Sequence, residues 1–265
     1  MRLLTLNTHS YIEDNQQEKL DTLIKTIIAN NYDVIALQEV NQLIDSPPVG
    51  ETVIHEDNFA RVIAEKLQAY GLTYSYHWAM AHIGYDRYEE GVAILTKHPV
   101  IDTSVITLTE TTDKTYWKTR VAIKLTLDYH DQMIDCLSTH HGFWDDPDEP
   151  SQQQFDRLLT HIDASRPTFI LGDFNTEAAV RKEGYDYLMS KGLYDTYTLA
   201  HDKDTGMTVP GVIDGWKHAS GSKRIDYIFM NQPFSVPVSH VIFNDDNQPI
   251  VSDHFGVDVT VSLDI

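Results

Sequence analysis

The feature that most constrains this chain is a short apolar run, residues 168–171, that ends in a carboxylate and a carboxamide. Pro167 precedes the run and Gly172 follows it, which favours a buried strand over a buried helix. Asp173 and Asn175 then stand where a strand would give way to a loop. Functional sites in α/β proteins gather at the carboxyl ends of strands, whereas a strand-ending Asx turn would explain the pattern without any function.

Other apolar runs carry side chains of the same kind, and this repetition favours a shared site. Each is an amide, a carboxylate or an imidazole that closes, lies in or precedes an apolar run: Asn7, Glu39, His140, Asp226, Asp253 and His254. Such groups bind metal ions, exchange protons or hydrogen-bond to phosphate. Because chance is a poor explanation for so many cases, we expect these side chains to meet in one place.

Length and composition allow a full hydrophobic core and are compatible with one large domain or two. Because the sequence shows no linker, tandem repeat or low-complexity tract, we expect one domain, residues 1–265. Of the 265 residues 42% are hydrophobic, and the formal net charge is −20. A chain this acidic has no general attraction for nucleic acids or anionic membranes, so local groups must bind any phosphate. The single cysteine, Cys136, lies in a strand pattern, so we expect a buried thiol in a reducing compartment. Because no signal-peptide architecture precedes the first strand, we expect a cytoplasmic protein.

The predicted elements mix strands with helices. Helical periodicity covers residues 18–30 and 59–70 and recurs near residues 155–162 and 185–189. Strand patterns cover residues 3–6, 33–40, 91–96, 100–108, 120–127, 132–139, 168–171, 225–230, 236–243 and 255–263. Residues 43–56, 142–150 and 192–223 are expected loops, and the aromatic-rich residues 72–88 are assigned no helix or strand. Hairpins combined with crossovers predict two packed sheets flanked by helices.

The motifs at the strand ends, taken together and in order, resemble those of the endonuclease/exonuclease/phosphatase superfamily, which has the deoxyribonuclease I-like fold. They are Leu6-Asn7, Leu37-Gln38-Glu39-Val40, Ser138-Thr139-His140, Gly172-Asp173-Phe174-Asn175, Arg224-Ile225-Asp226-Tyr227 and Ser252-Asp253-His254. Each motif is short, but the ordered set spans nearly the whole chain. The resemblance implies an α/β (α+β) fold, a four-layer αββα sandwich of two mixed sheets, and divalent-metal-dependent cleavage of phosphoester bonds.

The resemblance also implies a metal site. Glu39 corresponds to the principal metal ligand of the family, and Asn7 and Asp253 correspond to residues that assist it. Hard oxygen ligands of this kind suit Mg²⁺ or Mn²⁺. His9 departs from the pattern, because some relatives carry an acidic residue there. A second metal ligand near Asn7 is therefore in doubt, and an additional imidazole in the cleft is expected instead.

The remaining motif residues correspond to catalytic groups of the family. Asp173 corresponds to the residue that orients or deprotonates the attacking water, and Asn175 to the one that holds a phosphate oxygen. His254 and His140 correspond to two imidazoles that contact the phosphate. Asp226 is the expected partner that fixes the tautomer of His254 and favours its protonated form.

Residues outside the motifs are expected to bind the substrate. Arg120 is one of them, because a guanidinium binds phosphate through two hydrogen bonds. The segments 74–90, 142–149 and 211–218 are rich in aromatic and acidic residues, which suit sugar rings. We expect these segments to be loops around the cleft, although plain hydrophobic lids would have the same composition. The expected substrate-binding residues are Arg120, His82, Trp144 and Trp216. Either Glu89 or Glu90 is expected to be the carboxylate partner of His140.

A small phosphorylated substrate is expected, with neither nucleic acid nor membrane as a partner, because lysine and arginine form no basic stripe. Residues 82–86, 90–95, 214–216 and 249–254 resemble a Gram-positive cytosolic subgroup of the family, which implies a sugar phosphate such as maltose 6′-phosphate. A nuclease or a sphingomyelinase-like phosphodiesterase of the same superfamily is an alternative. A non-catalytic binding module on the same fold is another, but the intact set of motif residues argues against it.

Overall fold

The computed structural model describes residues 1–211 and 221–263. The strands are β1 (Arg2–Asn7), β2 (Val34–Leu43), β3 (Ser75–Gly84), β4 (Tyr88–Thr96), β5 (Val100–Thr107), β6 (Val121–Tyr129), β7 (Gln132–His140), β8 (Thr168–Asp173), β9 (Tyr194–Asp195), β10 (Asp202–Lys203), β11 (Asp226–Met230), β12 (Ser235–Ile242) and β13 (Gly256–Ser262). The helices are α1 (Gln16–Asn30), α2 (Phe59–Ala69), α3 (Ser151–Leu159), α4 (Gly184–Ser190) and α5 (Thr196–Leu199), and a 3₁₀ turn covers Ser10–Ile12.

Two mixed sheets form the centre of the fold. The first has the strand order β10-β12-β13-β1-β2-β4-β3, and the second has the order β5-β6-β7-β8-β11-β9. The sheets pack face to face, with α1 and α2 against the outer face of the first and α3 and α4 against that of the second. The predicted four-layer αββα sandwich is therefore confirmed.

Strand alternation explains why the core lies where it does. In β6, Val121, Ile123, Leu125 and Leu127 point into the core between the sheets, as their period of two predicts. The intervening Ala122 faces the helical layer that α3 and α4 cover. Successive side chains of one strand thus contribute to two different cores, which is why both faces of the sheet are apolar.

The largest difference from the sequence-based expectation concerns residues 74–90, which were expected to be loops. They form most of the β3–β4 hairpin at the edge of the first sheet. Trp78 is buried, and its indole Nε1 donates a hydrogen bond of 3.0 Å to the carbonyl oxygen of Val40. On the facing strand, a Cβ at Gly91 would lie 2.1 Å from the carbonyl oxygen of Ala79, so this close approach requires glycine. The aromatic residues carry no local sign of a sheet edge, because that role depends on partners distant in sequence.

The segment 192–223 was also expected to be a loop, and its described part contains β9, α5 and β10. These elements are two to four residues long, too short to give a periodic signal in the sequence. No helix within residues 1–211 and 221–263 is both long and apolar enough to cross a membrane.

Candidate active site

The candidate active site lies where strand ends of both sheets meet. In the second sheet, His140 is paired with Asp173 between the parallel strands β7 and β8, and Asp226 is paired with Asp173 between the antiparallel strands β8 and β11. In the first sheet, Asn7 is paired with Gln38, the residue before Glu39. Because paired residues of neighbouring strands point to the same face, the three side chains of the second sheet form one row.

Asp173 lies in the middle of this row and is buried. Its Oδ1 accepts a hydrogen bond of 2.9 Å from the backbone N–H of Asn175, and its Oδ2 accepts one of 3.1 Å from Asn7 Nδ2. The Nε2 atoms of His140 and His254 lie 3.6 and 3.8 Å from the same Oδ2. Burial and the charge of a neighbouring carboxylate raise the pKa of Asp173 to about 7. A carboxylate with that pKa suits general-base catalysis near neutral pH.

His254 forms a buried ion pair with Asp226, so the structure brings the two residues together as the sequence predicts. The ring Nδ1 lies 2.9 Å from Oδ2 and 3.2 Å from Oδ1 of the carboxylate. Burial by itself lowers the pKa of His254, but the charges of Asp226 and Asp173 outweigh burial and raise the pKa to about 10. The ring is therefore an imidazolium at neutral pH, with Nε2 on the side of Asp173.

His140 is a neutral imidazole, in contrast to His254. Burial and the charge of Arg120 hold the pKa of His140 well below its usual value. Asn175 Nδ2 lies 3.2 Å from His140 Nε2 and donates a hydrogen bond of 2.9 Å to the carbonyl oxygen of His141. Because the amide group directs its hydrogens to these two acceptors, Asn175 positions His140. Contact of Asn175 with a phosphate oxygen stays a prediction.

The carboxylate predicted beside His140, Glu89 or Glu90, is not there. Glu89 accepts a hydrogen bond of 2.6 Å from Gln42 Nε2, and Glu90 Oε1 lies 3.4 Å from Nε2 of His82. A register shift between β3 and β4 places His82 directly opposite Glu90, which is the physical reason for this pairing. The prediction is therefore wrong, and the carboxylate that meets His140 belongs to Asp173.

Glu39 reaches the cleft because its strand is irregular. The pairing of β2 with β4 shifts register between Leu37 and Val40, and Glu39 adopts a φ of 51°, in the left-handed region. Bulges of this kind re-aim side chains and occur next to active sites, and the strain of a positive φ is typical of functional residues. Burial and the charge of Asp253 raise the pKa of Glu39. Such a buried acid near a like charge is stabilised by a bound cation.

Asn7 connects the two carboxylates on which the site depends. Its Nδ2 donates to Glu39 Oε1 at 2.8 Å and to Asp173 Oδ2 at 3.1 Å, while its Oδ1 accepts a hydrogen bond of 3.2 Å from the backbone N–H of His9. Asn7 therefore lies next to Glu39, the predicted principal metal ligand, and its role at a metal stays a prediction. Its amide nitrogen, however, faces the carboxylates, so in this arrangement Asn7 positions the ligands.

The chemistry of the donor set fits a hard divalent cation. Glu39 and Asp253 both line the cavity of the site, and the negative charge of each acts on the other. Carboxylate oxygens are the donors that Mg²⁺ and Mn²⁺ prefer, and few protein ligands suffice because water and phosphate complete the shell. Glu39 and Asp253 are the residues that would hold the metal.

His9 supplies the additional imidazole that the sequence leads us to expect. Its Nδ1 lies 2.7 Å from Glu13 Oε1 and 3.8 Å from Asp253 Oδ1. Burial lowers the pKa of His9, but Glu13, Asp253 and Glu39 more than compensate and raise it to about 9. The ring is thus a cation beside Glu13 and Asp253 at neutral pH. Glu13 could not be predicted from the sequence, because it follows a three-residue 3₁₀ turn that has no periodic pattern.

The site opens into a cavity of about 270 Å³. Arg120 and His82 line it, as predicted. Arg120 Nη1 donates to the carbonyl oxygens of Trp117 at 2.8 Å and Thr119 at 3.3 Å, while its buried Nε has no hydrogen-bond partner among the described residues. Three aromatic residues that were not singled out as substrate-binding also line the cavity, Tyr85, Trp117 and Phe143. Tyr85 and Phe143 belong to segments expected around the cleft, whereas Trp117 does not. Aromatic character alone did not distinguish them from core residues.

The two tryptophans predicted to bind substrate have different outcomes. Trp144 does not line the cavity. Its ring packs against Phe155 and Tyr187, with centroids 6.4 and 5.6 Å apart, in the layer of α3 and α4. Phe143, one residue earlier, takes the predicted place, since neighbouring residues in the chain point to different sides. Trp216 lies outside the described residues.

A sequence profile of the "Endonuclease/Exonuclease/phosphatase family" matches residues 4–254, which include every motif residue described above. The chain belongs to this family. Its enzymes are generally hydrolytic phosphoesterases that depend on divalent metal ions, which agrees with the carboxylates found at Glu39 and Asp253. A search of curated proteins found no significant match.

Solved structures support the same assignment. An endonuclease/exonuclease/phosphatase family protein from Leptotrichia buccalis is 39% identical, with a TM-score of 0.93, over 99% of this chain and 100% of the other. A family protein from Beutenbergia cavernae is 22% identical, with a TM-score of 0.73, over 99% of this chain and 71% of the other. The mannosyl-6-phosphatase Bt3783 of Bacteroides thetaiotaomicron is 16% identical, with a TM-score of 0.66, over 99% of this chain and 100% of the other. The last two likenesses concern the fold alone.

Proposed function

We propose that this protein is a divalent-metal-dependent phosphomonoesterase that hydrolyses a small sugar phosphate by direct attack of water. The observation that carries the proposal is the cavity of about 270 Å³, where Asp173, His140 and His254 meet aromatic and polar walls. A cavity of this kind fits a small ligand with a few oriented polar groups.

The distribution of charge supports a small substrate over a nucleic acid. The chain carries a formal net charge of −20, and Arg120 is the one lysine or arginine among the described residues that line the cavity. Lys118, close by in sequence, is paired with Asp146 at 2.9 Å and with Asp148 at 2.7 Å. A protein that binds duplex DNA neutralises several phosphates with clustered cations.

The residues present can support a single displacement at phosphorus. Asp173 accepts a proton from the attacking water as the new bond from oxygen to phosphorus forms. The imidazolium of His254 donates a hydrogen bond to a phosphate oxygen and opposes the charge that grows there. The bond from phosphorus to the alcohol oxygen breaks, the leaving alkoxide takes up a proton from solvent water, and Asp173 returns its proton to the solvent. A divalent cation held by Glu39 and Asp253 would add charge stabilisation on the phosphate oxygens.

Two sugar phosphates are the first candidates. The subgroup that residues 82–86, 90–95, 214–216 and 249–254 resemble comprises the Gram-positive maltose 6′-phosphate phosphatases, so maltose 6′-phosphate is one candidate. The neighbour from Bacteroides thetaiotaomicron is described as a mannosyl-6-phosphatase, so a mannose 6-phosphate ester is the other. That neighbour shares the fold at 16% identity, and its substrate enters only as a test compound.

A side-by-side assay tests the proposal. The chain is incubated with Mg²⁺ or Mn²⁺ and with maltose 6′-phosphate, mannose 6-phosphate, glucose 6-phosphate, p-nitrophenyl phosphate, duplex DNA, single-stranded DNA or sphingomyelin. We expect phosphate release from at least one sugar ester and inversion of a chiral phosphorus centre. Efficient DNA cleavage without phosphate release from any sugar ester would overturn the proposal, and retention of configuration would indicate a phosphoenzyme instead.

A further inference from the structure

A pair of side chains on the wall of the cavity has no role in the chemistry described so far. Glu90 and His82 both line the cavity, and their side chains are only 10% and 7% exposed. Their closest atoms, Glu90 Oε1 and His82 Nε2, lie 3.4 Å apart. Within residues 1–211 and 221–263, no hydrogen bond is made by the carboxyl group of Glu90. A buried carboxyl group that faces a cavity without a hydrogen bond is unfavourable unless a ligand supplies one.

The hydrogen bonds around His82 define which of its nitrogens carries the proton. The Nδ1 atom lies 3.1 Å from the carbonyl oxygen of Thr119, which can only accept. Arg120 Nη1 lies 3.3 Å from the same Nδ1, but its two hydrogens serve the carbonyl oxygens of Trp117 and Thr119. Nδ1 of His82 therefore donates to Thr119, and Nε2 presents a lone pair to Glu90. Burial and the charge of Arg120 lower the pKa of His82 to about 3, in agreement with a neutral ring.

Burial and the charge of Glu39 raise the pKa of Glu90 to about 8, so its carboxyl group is mostly protonated at neutral pH and can donate as well as accept. Together with the lone pair on Nε2 of His82 it is complementary to a hydroxyl group, which can donate its hydrogen to Nε2 and accept one from Glu90. Gly84 keeps this position open, since a Cβ there would lie 3.2 Å from Glu90 Oε2. The wall also contains Tyr85 and Trp117, whose rings can cover the apolar face of a sugar.

We propose that His82 and Glu90 form a hydroxyl-binding subsite for the alcohol part of the substrate and so select a polyhydroxylated leaving group over an aryl alcohol. The inference rests on the proposed phosphomonoesterase function, which concerns the reaction at phosphorus. It adds the residues that select the substrate. A site built to bind a hydroxyl rejects analogues that lack it, because its own polar groups are then left unpaired.

Kinetics of Glu90→Gln test the subsite. For the best sugar phosphate of the panel, we expect KM to rise about 10-fold with kcat changed less than about twofold, while kcat/KM for p-nitrophenyl phosphate stays the same. The 2-deoxy, 3-deoxy and 4-deoxy analogues of glucose 6-phosphate each lack one hydroxyl. At least one of them should have a low kcat/KM with the native chain, and Glu90→Gln should not lower that value further. Equal losses for sugar and aryl esters would overturn the inference.

Two further variants separate recognition from folding. Glu89→Gln is the matched control, because Glu89 is the neighbouring residue but contacts Gln42 away from the cavity, and it should leave all kinetic constants unchanged. Gly84→Ala adds a methyl group beside Glu90 at ordinary backbone angles and should raise KM for the sugar ester alone. A general loss of thermal stability in Glu90→Gln with equal effects on all esters would assign Glu90 a structural role.

A binding measurement keeps the subsite and the reaction distinguishable. In the Asp173→Asn chain with Mg²⁺, glucose 6-phosphate is titrated in a calorimeter and Kd is measured. Addition of Glu90→Gln should raise Kd about 10-fold, and addition of Glu89→Gln should not. If the native chain hydrolyses no ester but this difference in Kd is found, the proposed function fails and the subsite stands. If Kd does not depend on Glu90, the subsite is refuted whatever the chain hydrolyses.

Discussion

The buried pair of His254 and Asp226 offers the sharpest test of the proposed chemistry. The pKa of His254 is raised from 6.5 to about 10, with the charge of Asp226 as the largest favourable contribution. At roughly 1.4 kcal/mol per pKa unit, this rise corresponds to about 5 kcal/mol in favour of the imidazolium. Asp226→Asn removes the largest contribution that opposes burial, so the pKa of His254 is expected to fall and a larger fraction of the ring to be neutral at pH 8.

The expected consequence for activity is a slower reaction with a changed pH profile. A hydrogen bond from a charged donor contributes about 1.5–3 kcal/mol, so kcat at pH 8 should fall about 10- to 150-fold in Asp226→Asn. The alkaline limb of kcat, near pH 10 in the native chain, should move to lower pH. Both are measured with p-nitrophenyl phosphate and Mg²⁺ between pH 5.5 and 10. A folded variant with the native kcat and the native profile would refute the reasoning.

The same pair makes stability depend on pH. Because the pKa of His254 in the folded protein lies above its ordinary value of 6.5, the pair stabilises the fold fully below pH 6.5, and this contribution is lost as the pH rises through about 10. Asp226→Asn should lower the free energy of unfolding by about 3 kcal/mol at pH 6, and the difference should shrink towards pH 10. The control is Asp195→Asn, which breaks a buried contact of 2.7 Å with Arg224 Nη1 and should destabilise without moving the pH profile of kcat.

Three further predictions concern the metal, the backbone and the walls. Glu39→Ala should weaken Mn²⁺ binding in a calorimetric titration, and chelation should abolish activity; full activity in excess chelator would contradict metal dependence. Gly172→Ala would place a Cβ 2.0 Å from a carbonyl oxygen of β7 and should lower Tm by about 6 °C or more, whereas Gly211→Ala, where a Cβ meets nothing within 4 Å, should not. Trp144→Ala should lower the free energy of unfolding by about 2 kcal/mol and leave KM unchanged. Trp117→Ala should raise KM for sugar esters. A raised KM in Trp144→Ala together with a native KM in Trp117→Ala would show that the placement of these rings is wrong.

Strand ends were predictable from the sequence because they depend on local signals. An apolar run followed by glycine, asparagine or aspartate marks both a strand and its end, so the positions of Asn7, His140 and Asp173 followed from the sequence. Their order along the chain also carried the family resemblance, which implied the sandwich. The residues gather because the two sheets bring these ends to one edge, as the pairing of His140 with Asp173 shows.

The tertiary structure alone decided the contacts that depend on strand register and on bulges. Glu39 points into the cleft because β2 bulges, and His82 meets Glu90 because β3 and β4 shift register by one residue. Such a shift exchanges the faces of all the side chains that follow, and nothing local in the sequence announces it. The loop after β7 is likewise arranged by tertiary contacts, which place Phe143 on the cavity and pack Trp144 against α3 and α4. The sequence by itself determined which residues could do the chemistry, and the packing of the sheets determined which of them meet.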